Sequence, residues 1–197
     1  MGTRRGYVIS DQFAMHFVTI TIVGWVDLFT RKECKEILIE SLKFCVMKKG
    51  LIVYSYVIMP SHLHLILRAK EGSDGLSAII RDFKKFTSRN LIKWTLDNPF
   101  ESRKDWLKVV FEYHAKFNSN NQQFQLWQQG NHPKILLHPK FTEQKLNYIH
   151  ANPVVAGIVD LGEEYIYSSA RNYIGRKDFV LDVEIIDFGA QIGYIPM

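Results

Sequence analysis

Two histidines one residue apart, His62 and His64 in the run YVIMPSHLHLILRA (56–69), pose the first chemical question. The run is rich in β-formers on either side of Pro60–Ser61, so it reads as strand, tight turn and strand. Side chains alternate across a strand, which puts His62, His64 and Ile66 on one face and Leu63, Leu65 and Leu67 on the other. Two imidazoles at i and i+2 can hold one metal ion. They can equally be half-exposed polar residues on the open face of a sheet, and the pattern by itself leaves both readings open.

A second pair lies downstream. Tyr148 and Asn152 are four residues apart in FTEQKLNYIHANPVVAGIV (141–159), a helical pattern interrupted near Pro153, so they share one face about a turn apart. A tyrosine oxygen can attack phosphorus and form a covalent phosphotyrosine. An asparagine carbonyl is a suitable oxygen ligand for a hard divalent cation. If this helix packs across the sheet face bearing His62 and His64, then metal, ligand and nucleophile converge. Taken singly, Tyr148 reads as an interface tyrosine and Asn152 as a helix cap before proline.

The elements that would position these residues follow from periodicity. HFVTITIVGWVDLF (16–29) alternates and is β-branched, which predicts a strand. Thr30 and Glu33 match a capping box opening a helix on which Cys34, Ile37, Leu38, Leu42 and Cys45 recur, closed by Gly50 after Lys48 and Lys49. The histidine hairpin, roughly 51–68, comes next. A second helix, 76–96, carries an apolar stripe of Leu76, Ile79, Ile80, Phe83, Phe86 and Trp94. Arg81, Lys84, Lys85 and Arg89 fall largely opposite that stripe. The order β-α-β-β-α begins a ferredoxin-like split β-α-β arrangement: an α+β fold with an antiparallel sheet and helices on one face. Residues 97–131 are less legible: DWLKVVFEYHAKF predicts a short helix, and Trp127 anchors a polar loop. HPKILLH (132–138) predicts a further strand. The expected division is a domain over 1–175 and a tail over 176–197.

Composition narrows the classes. The 197-residue chain is 47% hydrophobic and 23% charged, which is ordinary for a globular protein large enough to bury a core. Its formal charge of +5 favours an acidic partner. Cys34 and Cys45, eleven apart in one helix, form neither a metal knuckle nor a disulfide framework. The opening MGTRRGYVIS lacks the apolar core of a signal peptide, and no uncharged run reaches membrane-spanning length. The expectation is a cytoplasmic protein with no membrane association.

The residues also carry a resemblance. VIMPSHLHLIL resembles the His-hydrophobic-His signature of the HUH endonucleases. LWQQGNHPKIL, then YIHANPVVAGIV followed by YIYSSARNY, is similar to the C-terminal half of the REP-associated tyrosine transposases and their insertion-sequence relatives. The likeness runs over about 12–173 in the family's order. It implies the ferredoxin-like HUH fold, metal ligation by His62 and His64 with Asn152 as third ligand, and Tyr148 as nucleophile. Tyr165, Tyr167 and Tyr173 are then set aside as nucleophiles.

The activity implied is a transposase that nicks and rejoins single-stranded DNA through a 5′-phosphotyrosine, aided by Mg²⁺ or Mn²⁺. Its substrate would be hairpin-forming repeats, and the protein a monomer or homodimer. Given such an enzyme, Arg81, Lys84, Lys85 and Arg89 become candidate phosphate contacts, with Arg4 and Arg5 as further candidates. Tyr54, Tyr56 and Trp127 are candidates for stacking on bases or for the core. His150 points off the Tyr148 face and reads as structural; His132 reads as a capping residue. The rival readings are a rolling-circle or mobilisation nickase, a non-catalytic nucleic-acid-binding domain of the same fold, and a metallohydrolase without a covalent intermediate.

Overall fold

The computed structural model describes residues 9–118 and 123–189; Arg4 and Arg5 lie outside them. Four strands form one antiparallel sheet: β1 His16–Thr21, β2 Leu51–Ile58, β3 His62–Ala69 and β4 Lys134–Ile135, in the order β2-β3-β1-β4. Between β1 and β2 runs α1, Lys32–Lys49. The gap that this crossover leaves between β1 and β2 is filled by β3, which pairs antiparallel with both. Helices α2 Leu76–Asp97 and α3 Lys104–Ala115 follow, then β4, then α4 Pro139–Val155 and the single turn α5 Ala170–Tyr173. This is the split β-α-β arrangement that the sequence predicts.

The hairpin forms as read, with Met59 N donating to His62 O at 2.8 Å across the Pro60–Ser61 turn. Strand β1 is shorter than its sequence suggests. Gly24 and Trp25 adopt φ of 63° and 56°, angles no strand contains, so the chain leaves the sheet after Thr21 through a 3-10 turn at Val23–Trp25. The capping box does not form either. Thr30 ends a second 3-10 turn and its hydroxyl donates to Asp27 O, while α1 starts at Lys32 without a side-chain cap. A tertiary contact overrides the local signal here: Arg31 and Arg103 both pair with Glu101, each at 3.0–3.1 Å, and fix the chain entering α1. Burial alone would raise the Glu101 carboxyl, but hydrogen bonds from Arg103 and Arg31 hold it down at about 2. The end of α1 is as expected, with Gly50 in the left-handed region at φ 70° donating its N–H to Cys45 O.

Helices α1 and α2 pack on each other and against β2 and β3, covering the Leu63, Leu65 and Leu67 face. The α2 stripe runs Leu76, Ile79, Ile80, Phe83, Thr87, Leu91 and Thr95. Phe86, expected within it, is exposed because Thr87 occupies the buried line one residue on. The α3 helix forms where predicted. Trp127 anchors its loop, buried against Phe29, with its indole N–H donated to Thr87 Oγ1 at 3.1 Å. The expected strand 132–138 shrinks to the two residues of β4, since His132 takes a φ of 42°.

The helices are not confined to one face as expected: the opposite sheet face receives α4, which contacts β2 and β3 and meets His64 through Tyr148. Pro153 does not interrupt it. The proline is buried within the helix, which closes two residues later, ahead of Gly157 at φ 66°. Three buried side chains pin α4 to β2: His150 Nε2 lies 2.9 Å from Ser169 Oγ and 3.3 Å from Ser55 Oγ. The outer edge of β2 is not left open. Ile58 N donates to Tyr167 O, Ser169 N to Tyr56 O and Glu184 N to Val53 O, so the C-terminal residues sheathe it.

Gly162 sits under α4, and a Cβ added there would lie 2.6 Å from His150 O. Because that atom is backbone, α4 itself must move. Gly162→Ala should cost roughly 1–3 kcal/mol of stability, read as a lowered urea midpoint, whereas Gly157→Asn at the open left-handed position should leave it nearly unchanged.

Candidate active site

The sheet register brings the site together. Thr19 pairs with His64, and Thr21 with His62, across β1 and β3; by alternation Phe17, Thr19, His62 and His64 share the face under α4. The two imidazoles stand edge to face with ring centroids 4.7 Å apart. Phe17 stacks on His64 at 5.5 Å, and the Tyr148 ring meets His64 edge-on at 5.1 Å. The Tyr148 Oη lies 3.3 Å from His64 Nε2. Helix α4 therefore delivers the tyrosine to the histidine face, and its phenol is about half exposed, at 45%.

Each histidine is oriented through its other ring nitrogen. His64 Nδ1 lies 2.9 Å from Thr19 Oγ1, and His62 Nδ1 lies 3.1 Å from Ser61 Oγ. In the tautomer that donates Nδ1–H to the hydroxyl, each Nε2 carries the lone pair that a cation requires. Electrostatics agree. Burial lowers the His62 imidazole, and burial, then His62 and then Lys145, push His64 down to about 3. Both rings are neutral near pH 7, the state in which imidazole ligates a metal. Among the described residues no third His, Cys, Asp or Glu joins them. The donor set fits an ion held by two imidazoles, with remaining positions open to oxygen ligands.

Asn152 occupies the next turn of α4, and its Nδ2 donates to Tyr148 O at 3.2 Å. No hydrogen bond among the described residues joins it to either histidine. The structure thus assembles His62, His64 and Tyr148, and places Asn152 one turn along the same helix. His150 turns away from this group into the core, as its spacing from Tyr148 predicts. Two of the tyrosines set aside as nucleophiles are engaged elsewhere: Tyr165 Oη donates to Ile58 O at 2.7 Å and Tyr173 Oη to Tyr54 O at 3.0 Å.

Several contributors were not read from the sequence. Lys145, three residues before Tyr148, sets its ammonium 5.5 Å from the Tyr148 ring centre and 5.2 Å from that of Phe17. Its spacing from Tyr148 was a visible signal. Thr19 and Phe17 were not visible, because only strand register shows which β1 residues face His64.

The basic helix face divides. Lys84 is not free for DNA: its ammonium donates to Gln128 O and Asn131 Oδ1, both at 2.9 Å, and burial lowers it to about 8. It acts as a strut for the loop before β4. Arg81 pairs with Asp82 at 3.1 Å on an exposed surface. Lys85 and Arg89 are exposed, and with Lys84, Lys93 and Phe124 they line a groove of about 480 Å³ between α2 and the 124–127 segment. Tyr54, Tyr56 and Trp127 are all buried, so their role is core packing.

These features define a four-stranded α+β domain with paired histidines under a tyrosine-bearing helix. The family model described as "Transposase IS200 like" matches residues 10–119, more than half of the chain, and the chain belongs to that family. A stretch of 115 residues is 28% identical to a protein of Haemophilus influenzae strain Rd that carries the name REP-associated tyrosine transposase. The match spans 57% of this chain and about half, 54%, of that relative. A solved structure of a REP-associated tyrosine transposase bound to a REP hairpin superposes with a TM-score of 0.60 at 20% identity, covering 99% of both chains. Its likeness extends the fold through α4, which lies beyond the family-model match. No helix among the described residues is long and apolar enough to cross a membrane.

The buried histidines make stability acid-sensitive. His64 and His150 are each pushed down to about 3, burial being the leading cause in both. Unfolded, both take up a proton near the ordinary 6.5, so below that pH the unfolded state binds more protons. Stability of the metal-free protein is therefore full above pH 6.5 and is lost as pH falls toward 3. Urea midpoints at pH 7, 5.5 and 4 should show it. His64→Gln should flatten the dependence by up to about 1.4 kcal/mol per pH unit; an unaltered slope would mean that His64 is not buried neutral.

Proposed function

We propose that this chain nicks and rejoins single-stranded DNA through a covalent 5′-phosphotyrosine, with Tyr148 as nucleophile. The observation that carries the reading is the Tyr148 oxygen 3.3 Å from Nε2 of a neutral His64, itself edge to face with His62. Tyr148 Oη attacks the scissile phosphorus, the P–O3′ bond breaks, and the strand leaves with a free 3′-hydroxyl. The phenol proton is lost to solvent and the departing 3′-oxygen takes one up. Reversal by a second 3′-hydroxyl rejoins DNA, since the phosphotyrosine keeps the energy of the broken bond.

Residues His62 and His64 would hold Mg²⁺ or Mn²⁺, with Asn152 as a candidate oxygen ligand. Once bound, the cation supplies polarisation of the phosphate and withdrawal of its charge. An incoming phosphate meets the Lys145 ammonium beside the Tyr148 ring, which favours the approach of the anion. Hairpin-forming repeats are the substrate class this reading favours, in line with the REP hairpin bound by the solved relative. Lys85 and Arg89 would hold backbone phosphates along the α2 groove.

The decisive assay incubates the protein with labelled single-stranded DNA from the gene's own flanks and Mn²⁺, and looks for a protein–DNA adduct on denaturing gels. Tyr148→Phe should abolish the adduct while DNA affinity and thermal stability hold, since the ring stays and only the nucleophilic oxygen goes. An adduct surviving in Tyr148→Phe would assign the nucleophile elsewhere. Replacing His62 and His64 with Ala should remove Mn²⁺ binding in calorimetry; unchanged affinity would sink the metal assignment. Asn152→Ala should be milder, because water can replace a neutral oxygen ligand.

The groove has its own test. Each phosphate contact to a single strand contributes roughly 0.7 to the logarithmic salt slope of binding. Lys85→Ala with Arg89→Ala should lower that slope by about 1 to 1.5, and weaken matched and scrambled hairpins alike. Lys84→Ala should instead lower thermal stability, and a wild-type salt slope in the Lys85/Arg89 double variant would leave this face without a DNA role.

A further inference from the structure

We propose that Trp25 is a base-stacking platform, its exposed indole receiving the nucleobase that flanks the phosphate attacked by Tyr148. The inference rests on the single-strand reading above and adds a substrate contact to it. Three independent features of the 3-10 turn after β1 carry it.

The first is exposure against the local trend. Trp25 is 61% exposed, while Val23 and Val26 on either side of the turn are buried at 2% and 5%. A large apolar ring held in water beside two buried valines is not a packing residue. The second is backbone strain. Trp25 holds a φ of 56°, next to Gly24 at 63°, and a bulky side chain rarely adopts such angles. Glycine would take this conformation without strain, yet the position carries an indole. The third is placement. The indole stands edge-on to His62 with ring centroids 5.4 Å apart. From His62 the row continues to His64 at 4.7 Å and from His64 to Tyr148 at 5.1 Å. One end of this row of rings is the nucleophile and the other is a flat, solvent-facing aromatic surface. The turn also packs against α3, where a Cβ added at Gly24 would lie 3.6 Å from His114 Nε2 and 3.7 Å from a Val110 methyl. The aromatic residues that the sequence offers for stacking, Tyr54, Tyr56 and Trp127, are all in the core. Trp25 presents what they cannot: a π-face beside the reacting centre, to which any base can stack.

The test measures binding rather than chemistry, in a Tyr148→Phe background, so that failure of the nucleophile assignment does not affect it. The probe is a hairpin oligonucleotide with single-stranded flanks taken from the DNA beside the gene. A set of probes carries one abasic site at each flank position in turn. Trp25→Ala should weaken binding of the intact probe about tenfold, within a span of roughly 5- to 150-fold. One abasic position should cause a similar loss with Trp25 present and no further loss in Trp25→Ala. Trp25→Phe should recover most of the affinity. Trp25→Gly should lose affinity like Trp25→Ala, yet match or exceed the parent in melting temperature because the strained angle is relieved. Unchanged affinity in Trp25→Ala, or losses that add independently of the abasic position, overturns the proposal. So does a fall in Mn²⁺ affinity with oligonucleotide affinity intact, which would make Trp25 a support for His62 alone.

Discussion

Everything at the candidate site depends on where α4 lies, and a buried polar cluster decides that. His150 reaches Ser55 on β2 and Ser169 on the returning chain, with all three residues buried. Ser169 also accepts from Tyr56 N at 3.0 Å, so its hydroxyl links helix, strand and C-terminal segment. Buried polar groups are costly without partners, which makes such a cluster specific about geometry: α4 sliding along the sheet would take His150 from both serines, which themselves stay bonded to each other. Two residues away from His150, Tyr148 faces β3 instead of β2. The helix thus spends one residue on anchoring and presents another to the histidines.

The histidine pair follows from a second constraint, the β1–β3 register. With Thr19 opposite His64, a hydroxyl meets Nδ1 and Nε2 is turned toward Tyr148. A shift of one residue would send Phe17 and Thr19 to the other face and replace them with the apolar side chains of Val18 and Ile20. Burial beneath α4 then keeps the imidazoles neutral, and Lys145 adds a nearby positive charge that opposes protonation of His64. The same arrangement that suits these rings to a cation makes the fold sensitive to acid.

Charge and aromatic surface are distributed by the same logic. The four cations on one face of α2 look equivalent by helical spacing, but tertiary contacts separate them. Lys84 is consumed in holding the loop before β4, Arg81 is paired locally, and Lys85 and Arg89 remain beside an open groove. Aromatic residues sort likewise. Tyr56 and Trp127 complete the core, whereas Trp25 is forced out by the left-handed turn that ends β1.

The hairpin, both long helices of the crossover and the Tyr148 helix were legible from sequence because their signals are local. Alternation around His62 and His64, the 3.6-residue stripe of α1 and α2, and Gly50 as a helix stop all act within a few residues. The ordered combination of H-x-H and a downstream tyrosine helix carried the family resemblance, and the family match agrees with it. Signals failed where a distant partner outbid a local preference. The Thr30 cap yielded to the Arg31–Glu101–Arg103 cluster, and the long first strand yielded to a turn seated on α3. Whether Lys84 is a strut or a phosphate contact depends on a loop 44 to 47 residues away. Whether Tyr148 meets His64 depends on a separation of 84 residues and on the anchoring of His150. Sequence by itself determined which residues share a face of their own element; the tertiary structure alone decided which faces meet, because long-range burial and hydrogen bonding, not local propensity, fix how elements dock.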